Sequence, residues 1–212
     1  MLTFERYHWG HHGPRVAGVD EAGRGPLAGP VMAAAVILDP SLAETEEQGA
    51  LRGLTDSKKL TRSHREAFYE VLLGAPGIEI GIGCAEVEEI DRLNILQATH
   101  AAMARAVAAL PAPPDFTLVD GRPVPELGGA CRAIVSGDSQ SLSIAAASVI
   151  AKVVRDAHMR ELARTYPQYG FDKHKGYGTA AHVQALFEYG PSPVHRMSFR
   201  PVREAAAIRR GQ

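Results

Sequence analysis

The sequence predicts an α/β protein, and three observations lead to that fold class. Short apolar runs of strand length stop at a carboxylate or a turn residue, while longer runs carry apolar residues at helical spacing. Hydrophobic residues make up 45% of the 212 residues, which is enough for a sizeable core in one domain. The five predicted strands cover residues 15–20, 30–39, 77–85, 116–120 and 132–135.

The first strand leads into the stretch around which the chain is organised. Residues 16–29 read V-A-G-V-D-E-A-G-R-G-P-L-A-G, an apolar run that ends in Asp20 and Glu21 and continues into a glycine-rich loop. Ligand sites in α/β sheets lie beyond the carboxyl ends of strands, and glycine lets the backbone approach a ligand closely. A dinucleotide-binding loop is the rival interpretation, but its spacing G-x-G-x-x-x-G is one residue too long and contains Pro26.

Two adjacent carboxylates at a strand end suit a divalent cation, because unpaired acids repel each other and hard cations take oxygen ligands. Successive strand residues point to opposite faces, so Asp20 and Glu21 cannot both face one metal from a regular strand. Either the strand ends at Asp20, or Glu21 contributes through a bent side chain or its backbone carbonyl. An exposed pair of acids is the plain alternative.

The remaining regular elements follow in order. The second strand comes after a tight connection, which predicts an antiparallel pair with the first. Apolar spacing and capping residues predict helices from Thr61 or Ser63 through Leu73, over 86–91, 94–110 and 139–165, and through Tyr189. The many alanines of 94–110 predict that this helix packs closely on the sheet.

Three segments show no regular pattern. The N-terminal residues, with His8, His11 and His12, are expected to form a solvated arm, and residues 41–53 a surface connection. Residues 166–179 read Y-P-Q-Y-G-F-D-K-H-K-G-Y-G-T and are expected to form a loop. This loop either stacks an aromatic ring on a sugar or base while its cations hold phosphates, or packs onto the body. The cysteines, Cys84 and Cys131, are expected to be buried.

Two further carboxylates stand at or just past strand ends. Asp120 closes the fourth strand before a glycine, and Asp138 follows the fifth strand. Together with the acid pair of the first strand they predict a shared metal site, because strand ends of a largely parallel arrangement converge. Asp138 also precedes a long helix, so a helix N-cap is its alternative role.

Basic residues are concentrated in two places. Lys58 belongs to a cluster around L-T-D-S-K-K-L, which predicts either phosphate contacts or the solvated start of a helix. Residues 166–212 carry seven Lys/Arg and three Asp/Glu, although the net charge of the chain is −1. An acidic body with a basic end can hold metals in one part and a polyanion in the other. Asp156 is a fifth candidate ligand, but pairing with Lys152 one helical turn away accounts for it.

Seven stretches, in family order along the chain, resemble bacterial ribonuclease HII. They read V-D-E-A-G-R-G-P-L-A-G-P-V (19–31), D-S-K-K-L (56–60), N-I-L-Q-A-T (94–99), V-D-G (119–121), G-D (137–138), I-A-A-A-S-V-I-A-K-V-V-R-D (144–156) and H-K-G-Y-G-T (174–179). The resemblance implies a ribonuclease H-like fold, with a mixed five-stranded sheet flanked by helices. Residues 1–165 would form the catalytic domain, and residues 166–212 a small helical C-terminal part of the same compact unit that contacts substrate.

The resemblance also implies roles for individual residues. A four-carboxylate metal and catalytic site corresponds to Asp20, Glu21, Asp120 and Asp138. A loop that senses the ribose 2′-hydroxyl at an RNA–DNA junction corresponds to Gly23, Arg24 and Gly25. The junction-reading tyrosine corresponds to Tyr177, and Lys58 and Lys175 are expected to contact phosphates.

The implied reaction is hydrolysis of the RNA strand of RNA–DNA hybrids and cutting 5′ of single ribonucleotides in duplex DNA, which leaves a 5′-phosphate and a 3′-hydroxyl. Two Mg²⁺ or Mn²⁺ ions about 3.5–4 Å apart would flank the scissile phosphate. The alternatives are a nuclease of the same superfold acting on DNA or structured RNA, and a catalytically silent nucleic-acid-binding module. The sequence shows no signal-peptide pattern or membrane-spanning run, so we expect a cytoplasmic enzyme, and we expect a monomer.

Overall fold

The computed structural model describes residues 1–210, in which five strands form one sheet. The strands are β1 Val16–Ala22, β2 Val31–Leu38, β3 Ile78–Ala85, β4 Phe116–Asp120 and β5 Cys131–Ile134. Their order across the sheet is β3-β2-β1-β4-β5. The pairs β1–β2 and β2–β3 are antiparallel, whereas β4 is parallel to both β1 and β5. The predicted five-stranded mixed sheet is therefore confirmed, including the antiparallel pair at the start of the chain.

Helices cover both faces of the sheet. They are α1 Thr3–His11, α2 Pro40–Glu46, α3 Arg62–Gly74, α4 Val87–Leu93, α5 Ile95–Ala108, α6 Leu142–Thr165, α7 Phe171–His174, α8 Ala180–Tyr189 and α9 Arg200–Arg210. Single 3₁₀ turns occupy Pro125–Leu127, Gly137–Ser139 and Pro167–Tyr169. Within residues 1–210, no helix combines the length and apolar character that crossing a membrane requires.

Small residues bring the two main helices against the sheet backbone. A Cβ at Gly18 of β1 would lie 2.1 Å from the carbonyl carbon of Ser143, so α6 touches β1 directly. On the other face, a Cβ at Gly83 of β3 would lie 2.0 Å from the carbonyl oxygen of Ala102 in α5. The predicted close packing of the alanine-rich helix on the sheet is confirmed. This packing fixes the start of α6 relative to the end of β1.

The expectation of a solvated N-terminal arm is wrong. Residues 3–11 form α1, and the imidazole of His8 stacks on Phe116 with ring centroids 3.6 Å apart. The Glu5 carboxylate is buried and accepts hydrogen bonds from the Ser141 hydroxyl at 2.6 Å and the Ser143 amide at 2.9 Å. Local sequence pattern gave no sign of this, because α1 is stabilised by contacts with distant residues rather than by an apolar face of its own.

Other segments expected to be irregular also contain regular structure. Residues 41–53 include most of α2 and bury Leu51, so they are more than a surface connection. Residues 166–179 contain a 3₁₀ turn and α7, and they bury Tyr169 and Phe171 against the body. The C-terminal part predicted for 166–212 is helical as far as it is described, and its last two residues lie outside the described range.

The prediction that both cysteines are buried is also wrong. Cys84 is half-buried, and Cys131 is exposed because it lies on the edge strand β5.

Candidate active site

Three carboxylates from separate elements meet at one edge of the sheet. Asp20 lies near the end of β1, Asp120 ends its parallel neighbour β4, and Asp138 lies in the turn Gly137–Ser139 after β5. Each offers one oxygen within 4.8 Å of the others. Convergence follows from the topology, because the carboxyl ends of parallel strands reach the same edge.

The position of Asp138 is set by Asp120. The Asp120 Oδ1 accepts hydrogen bonds from the backbone amides of Gly137 at 2.7 Å and Asp138 at 3.4 Å. A Cβ at Gly137 would lie 2.7 Å from the Cδ1 of the buried Ile144, so a larger residue would crowd the core where the turn meets α6. The alternative N-cap role of Asp138 is wrong, since the Ser141 hydroxyl caps α6 by accepting from the Ile144 amide.

The carboxylates are crowded and shielded from water. Burial raises the pKa of Asp20 well above its ordinary value, and the charges of Glu21 and Asp120 raise it further. Burial and Asp120 also raise the pKa of Asp138, an effect that Lys58 opposes. Bound cations would relieve this repulsion, and carboxylate oxygens are the donors that Mg²⁺ and Mn²⁺ prefer. The residues therefore fit divalent metal binding.

Glu21 is not brought into this group of three. Strand β1 continues through Ala22, and Glu21 pairs in register with Ala33 of β2, so the possibility that the strand ends at Asp20 is wrong. Its carboxylate pairs instead with the guanidinium of Arg24, at 3.3 Å. A ligand role for Glu21, through a moved side chain or the backbone carbonyl, stays a prediction.

Beside the carboxylates lies a cavity of about 370 Å³, which we call the glycine-loop cavity. Its lining residues are Glu21, Ala22, Gly23, Arg24, Gly25, Ser57, Lys58, Lys152 and Tyr177. A Cβ on Gly25 would lie 3.6 Å from the Cε1 of Tyr177, so the loop and the tyrosine face each other across a narrow gap. The structure thus brings together the predicted loop and tyrosine, which are far apart in the sequence.

Lys58 supplies a positive charge at the border between the glycine-loop cavity and the carboxylates. Burial lowers the pKa of its ammonium group, but the negative charges of Asp20, Asp56, Asp138 and Glu21 outweigh burial and raise the pKa overall. Lys58 therefore remains a cation that faces the acidic edge.

Lys175 and Asp156 lie away from the carboxylates. Lys175 has a left-handed backbone with φ of 52° and lines a neighbouring cavity rather than the glycine-loop cavity. Asp156 is 2.7 Å from the ammonium group of Lys152 and is not part of the converging group, as the local pairing predicts.

Comparison with known proteins gives the family. The family model for ribonuclease HII matches residues 17–202. The chain belongs to the ribonuclease HII family. It is 55% identical to ribonuclease HII of Rhodospirillum rubrum over 92% of this chain and 88% of the relative. It is 54% identical to ribonuclease HII of Chlamydia trachomatis over 90% of this chain and 84% of the relative.

A solved structure agrees with this membership. The fold matches the crystal structure of ribonuclease H2 from Pyrococcus horikoshii with a TM-score of 0.76 and 26% identity, over 93% of this chain and 100% of that one. The predicted resemblance to bacterial ribonuclease HII and the predicted ribonuclease H-like fold are therefore confirmed. The chain is an enzyme, a hydrolytic endonuclease of the ribonuclease H type.

Two buried arginines of this ribonuclease HII family member were missed from the sequence. Arg155 is 1% exposed and donates to the carbonyl oxygens of Pro30 at 2.9 Å, Ala28 at 3.2 Å and Lys175 at 3.1 Å. It therefore ties the glycine-rich loop to the segment that carries Tyr177. A Cβ on Gly23 would lie 2.0 Å from the Arg155 Nε, so the loop fits closely around this guanidinium.

Arg196 holds the same loop and shares one acceptor, the Pro30 carbonyl oxygen, with Arg155. It is fully buried, and its guanidinium donates to the carbonyl oxygens of Gly23 at 2.6 Å, Arg24 at 2.9 Å, Gly29 at 2.7 Å and Pro30 at 3.3 Å. Neither arginine forms a salt bridge within the described part of the chain. Burial lowers the pKa of Arg155 to about 10 and that of Arg196 to about 9.

Only one of the two arginines left a signal in the sequence. Arg155 falls on the small-residue face of α6, seven residues after Ser148 and four before Met159, both of which are buried. A basic residue on a buried helical face calls for internal acceptors. Arg196 lies outside any periodic segment, so the sequence pattern could not reveal its burial.

Proposed function

We propose that this enzyme hydrolyses the RNA strand of RNA–DNA hybrids and cuts duplex DNA on the 5′ side of a single embedded ribonucleotide. The products would carry a 5′-phosphate and a 3′-hydroxyl. The observation that supports this is the position of the three converging carboxylates, Asp20, Asp120 and Asp138, beside a cavity formed by a glycine loop and a tyrosine. Membership of the ribonuclease HII family supports the choice of RNA–DNA hybrids as substrates.

The carboxylates are proposed to hold Mg²⁺ or Mn²⁺, with two ions when substrate is bound. Asp20, Asp120 and Asp138 would be the ligands, together with Glu21. When bound, the ions would activate the attacking water and stabilise the departing 3′-oxygen. Lys58 would add positive charge beside the scissile phosphate, since its ammonium group already faces the carboxylates.

Recognition of RNA is proposed to rest on the 2′-hydroxyl, which distinguishes RNA from DNA at a given site. The backbone of Gly23, Arg24 and Gly25 can approach a ribose closely because the two glycines have no Cβ. Tyr177 is 41% exposed and would lay its ring against the next sugar, where a 2′-hydroxyl would crowd it. Close spacing of Gly25 and Tyr177 supports reading of the two sugars of one junction.

The first experiment is cleavage of a DNA duplex that contains one ribonucleotide, beside a long RNA–DNA hybrid and an all-DNA duplex, with Mg²⁺, Mn²⁺ or a chelator. We expect metal-dependent cutting on the 5′ side of the ribonucleotide and no cutting of the all-DNA duplex. Cleavage of the long hybrid alone would remove the roles given to Gly23, Arg24, Gly25 and Tyr177. Cleavage of the all-DNA duplex would indicate a general nuclease, and no cleavage at all a binding module.

Tyr177→Ala tests the junction role separately. We expect it to reduce cleavage at a lone ribonucleotide much more than it reduces binding to duplex DNA, whereas Tyr177→Phe keeps the ring and most of the activity. Equal losses of cleavage and of binding in Tyr177→Ala would contradict the role.

Three broader expectations from the sequence remain proposals. We propose a catalytic domain of residues 1–165 with a substrate-contacting C-terminal part, 166–212, in the same compact unit. We propose that the enzyme is a monomer and acts in the cytoplasm. Light scattering at micromolar concentration tests whether the enzyme is a monomer, and cell fractionation tests whether it acts in the cytoplasm.

A further inference from the structure

A second cavity, of about 450 Å³, lies next to the glycine-loop cavity and is strongly basic. We call it the basic cavity. Its charged lining residues are Arg62, Arg65, Glu66, Lys152, Asp156, Arg160, Asp172, Lys173 and Lys175. Six cations thus face three carboxylates, a net charge of +3. His174 also lines the cavity, and burial lowers the pKa of its imidazole, so it adds no charge at neutral pH.

Two of the three carboxylates are already paired. Glu66 accepts from the Arg62 guanidinium at 2.9 Å, and Asp156 from the Lys152 ammonium group at 2.7 Å. Within residues 1–210, neither Arg160 nor Lys173 lies within salt-bridge distance of a carboxylate. Their charges are therefore available to a ligand, and the ligand must be an anion.

The cations of the basic cavity also oppose one another. Burial lowers the pKa of the Lys175 ammonium group, and the positive charges of Arg160, Lys152 and Arg62 lower it further against the pull of Asp156. An anion in the cavity would remove this repulsion. At the acidic edge crowded carboxylates favour a bound cation, and in the basic cavity crowded cations favour a bound anion.

The position of the basic cavity indicates which anion it takes. Lys152 and Tyr177 line both this cavity and the glycine-loop cavity, so the two are joined across these side chains. The glycine-loop cavity in turn borders the acidic edge through Glu21 and Lys58. A polyanion that passes the carboxylates and the glycine loop would therefore continue past Tyr177 into the basic cavity.

We propose that the basic cavity binds phosphates of the nucleic-acid backbone on the side of Tyr177 away from the carboxylates, with Arg160 and Lys173 as the principal contacts. The proposal rests on the proposed function for the direction in which the duplex lies. The cavity would strengthen binding of the duplex and fix its position along the enzyme. It would take no part in hydrolysis, because none of its cations lies at the group of converging carboxylates.

The test compares Arg160→Gln/Lys173→Gln with wild type, with Arg164→Gln as the control. Arg164 lies one turn beyond Arg160 on α6, is 78% exposed in its side chain and does not line the cavity. Arg160 is half-buried and Lys173 exposed, so the double variant should fold, which its melting temperature checks. Binding is measured in EDTA by fluorescence anisotropy, with a duplex containing one ribonucleotide and its all-DNA counterpart, over a series of salt concentrations.

Loss of two phosphate contacts should reduce the slope of log affinity against log salt concentration, the salt slope, by about 1.8. With equal affinities for the double variant and wild type at 1 M salt, this change makes the double variant bind about 60-fold more weakly at 0.1 M salt. The single-turnover cleavage rate at saturating enzyme should stay close to that of wild type. A salt slope and affinity equal to those of wild type would overturn the proposal. That result would not affect the proposed function. Conversely, a wild-type enzyme that binds the duplex but does not cut it would contradict the proposed function and leave phosphate binding in the basic cavity untouched.

Position is tested with methylphosphonate substitutions, which remove the charge of one phosphate at a time. Wild type and Arg164→Gln should lose affinity at one or two phosphates beyond the junction. The double variant should lose nothing more at those phosphates, because their partners are already gone. Equal additional losses at every position in the double variant would contradict a site in the basic cavity.

Discussion

Replacing Arg196 with methionine would remove the guanidinium that holds the glycine-rich loop while keeping a flexible side chain of similar length. Four carbonyl groups, those of Gly23, Arg24, Gly29 and Pro30, would lose a donor. At about 1 kcal/mol for each hydrogen bond, the loss is about 4 kcal/mol, and release of a buried charge offsets part of it. We expect a net loss of about 2 kcal/mol in the free energy of unfolding.

The effect on activity should exceed the effect on stability. A loop displaced by about 1 Å can cost about 100-fold in rate, so we expect about that loss of kcat/KM on a duplex with one ribonucleotide. Binding to an all-DNA duplex should change little, because phosphate contacts do not depend on the loop. Urea unfolding, steady-state cleavage and anisotropy measure the three quantities.

Two variants control this experiment. Arg203→Met removes an exposed cation of the same C-terminal segment. Its guanidinium makes one hydrogen bond within residues 1–210, at 3.4 Å to the Ser198 carbonyl, so this variant should behave as wild type. Arg196→Lys keeps the charge but reaches fewer carbonyls, so it should recover part of the activity. Wild-type cleavage by Arg196→Met, or proportional losses of cleavage and of duplex binding, would refute the positioning role.

Three further predictions test the packing, the C-terminal part and the acidic edge. Gly18→Ala should lower the free energy of unfolding by about 3 kcal/mol or prevent folding, because its Cβ would lie 2.1 Å from the backbone of Ser143. The control Gly10→Ala, whose Cβ would have nothing within 4 Å, should be neutral or stabilising, and urea unfolding measures both variants. The free energy of unfolding should fall as the pH drops below 6.5, because burial and His182 lower the pKa of His195 to about 3 in the folded protein. Between these two pH values only the unfolded chain takes up the proton, so this group alone contributes a loss of about 2 kcal/mol by pH 5. His195→Gln should flatten the dependence of the free energy of unfolding on pH. Asp20→Asn should melt at a higher temperature than wild type in EDTA, because it removes a buried carboxylate whose pKa is raised, and it should lose Mg²⁺-dependent cleavage; substantial cleavage by this variant would contradict its assignment as a ligand.

Local pattern predicted those elements whose contacts follow the periodicity of their own sequence. Apolar runs that stop at a carboxylate or a turn residue predicted all five strands, and helical spacing and capping residues predicted α3, α5 and α6, within a few residues. Local pattern does not predict helix α1, because its stability comes from Glu5 and His8, which contact residues more than a hundred positions away. Local sequence also does not define the end of β1, since pairing with β2 extends the strand through Ala22.

The sequence by itself determined the chemistry available to this protein. It showed acids at strand ends, a glycine loop and an aromatic, basic segment, and the order of these motifs along the chain is sufficient to identify the family. These features are local, because each depends on a few adjacent residues whose conformation and charge follow from their own types.

Only the tertiary structure decided which of these residues act together. Sheet topology brought one carboxylate oxygen each of Asp20, Asp120 and Asp138 within 4.8 Å of the others, whereas Glu21 lies outside this group and pairs with Arg24. Packing of α6 against the loop placed Arg155 among carbonyl groups and joined the loop to the segment of Tyr177. Such distances depend on strand order, register and burial, which arise from contacts across the whole chain and leave no mark in any one stretch of it.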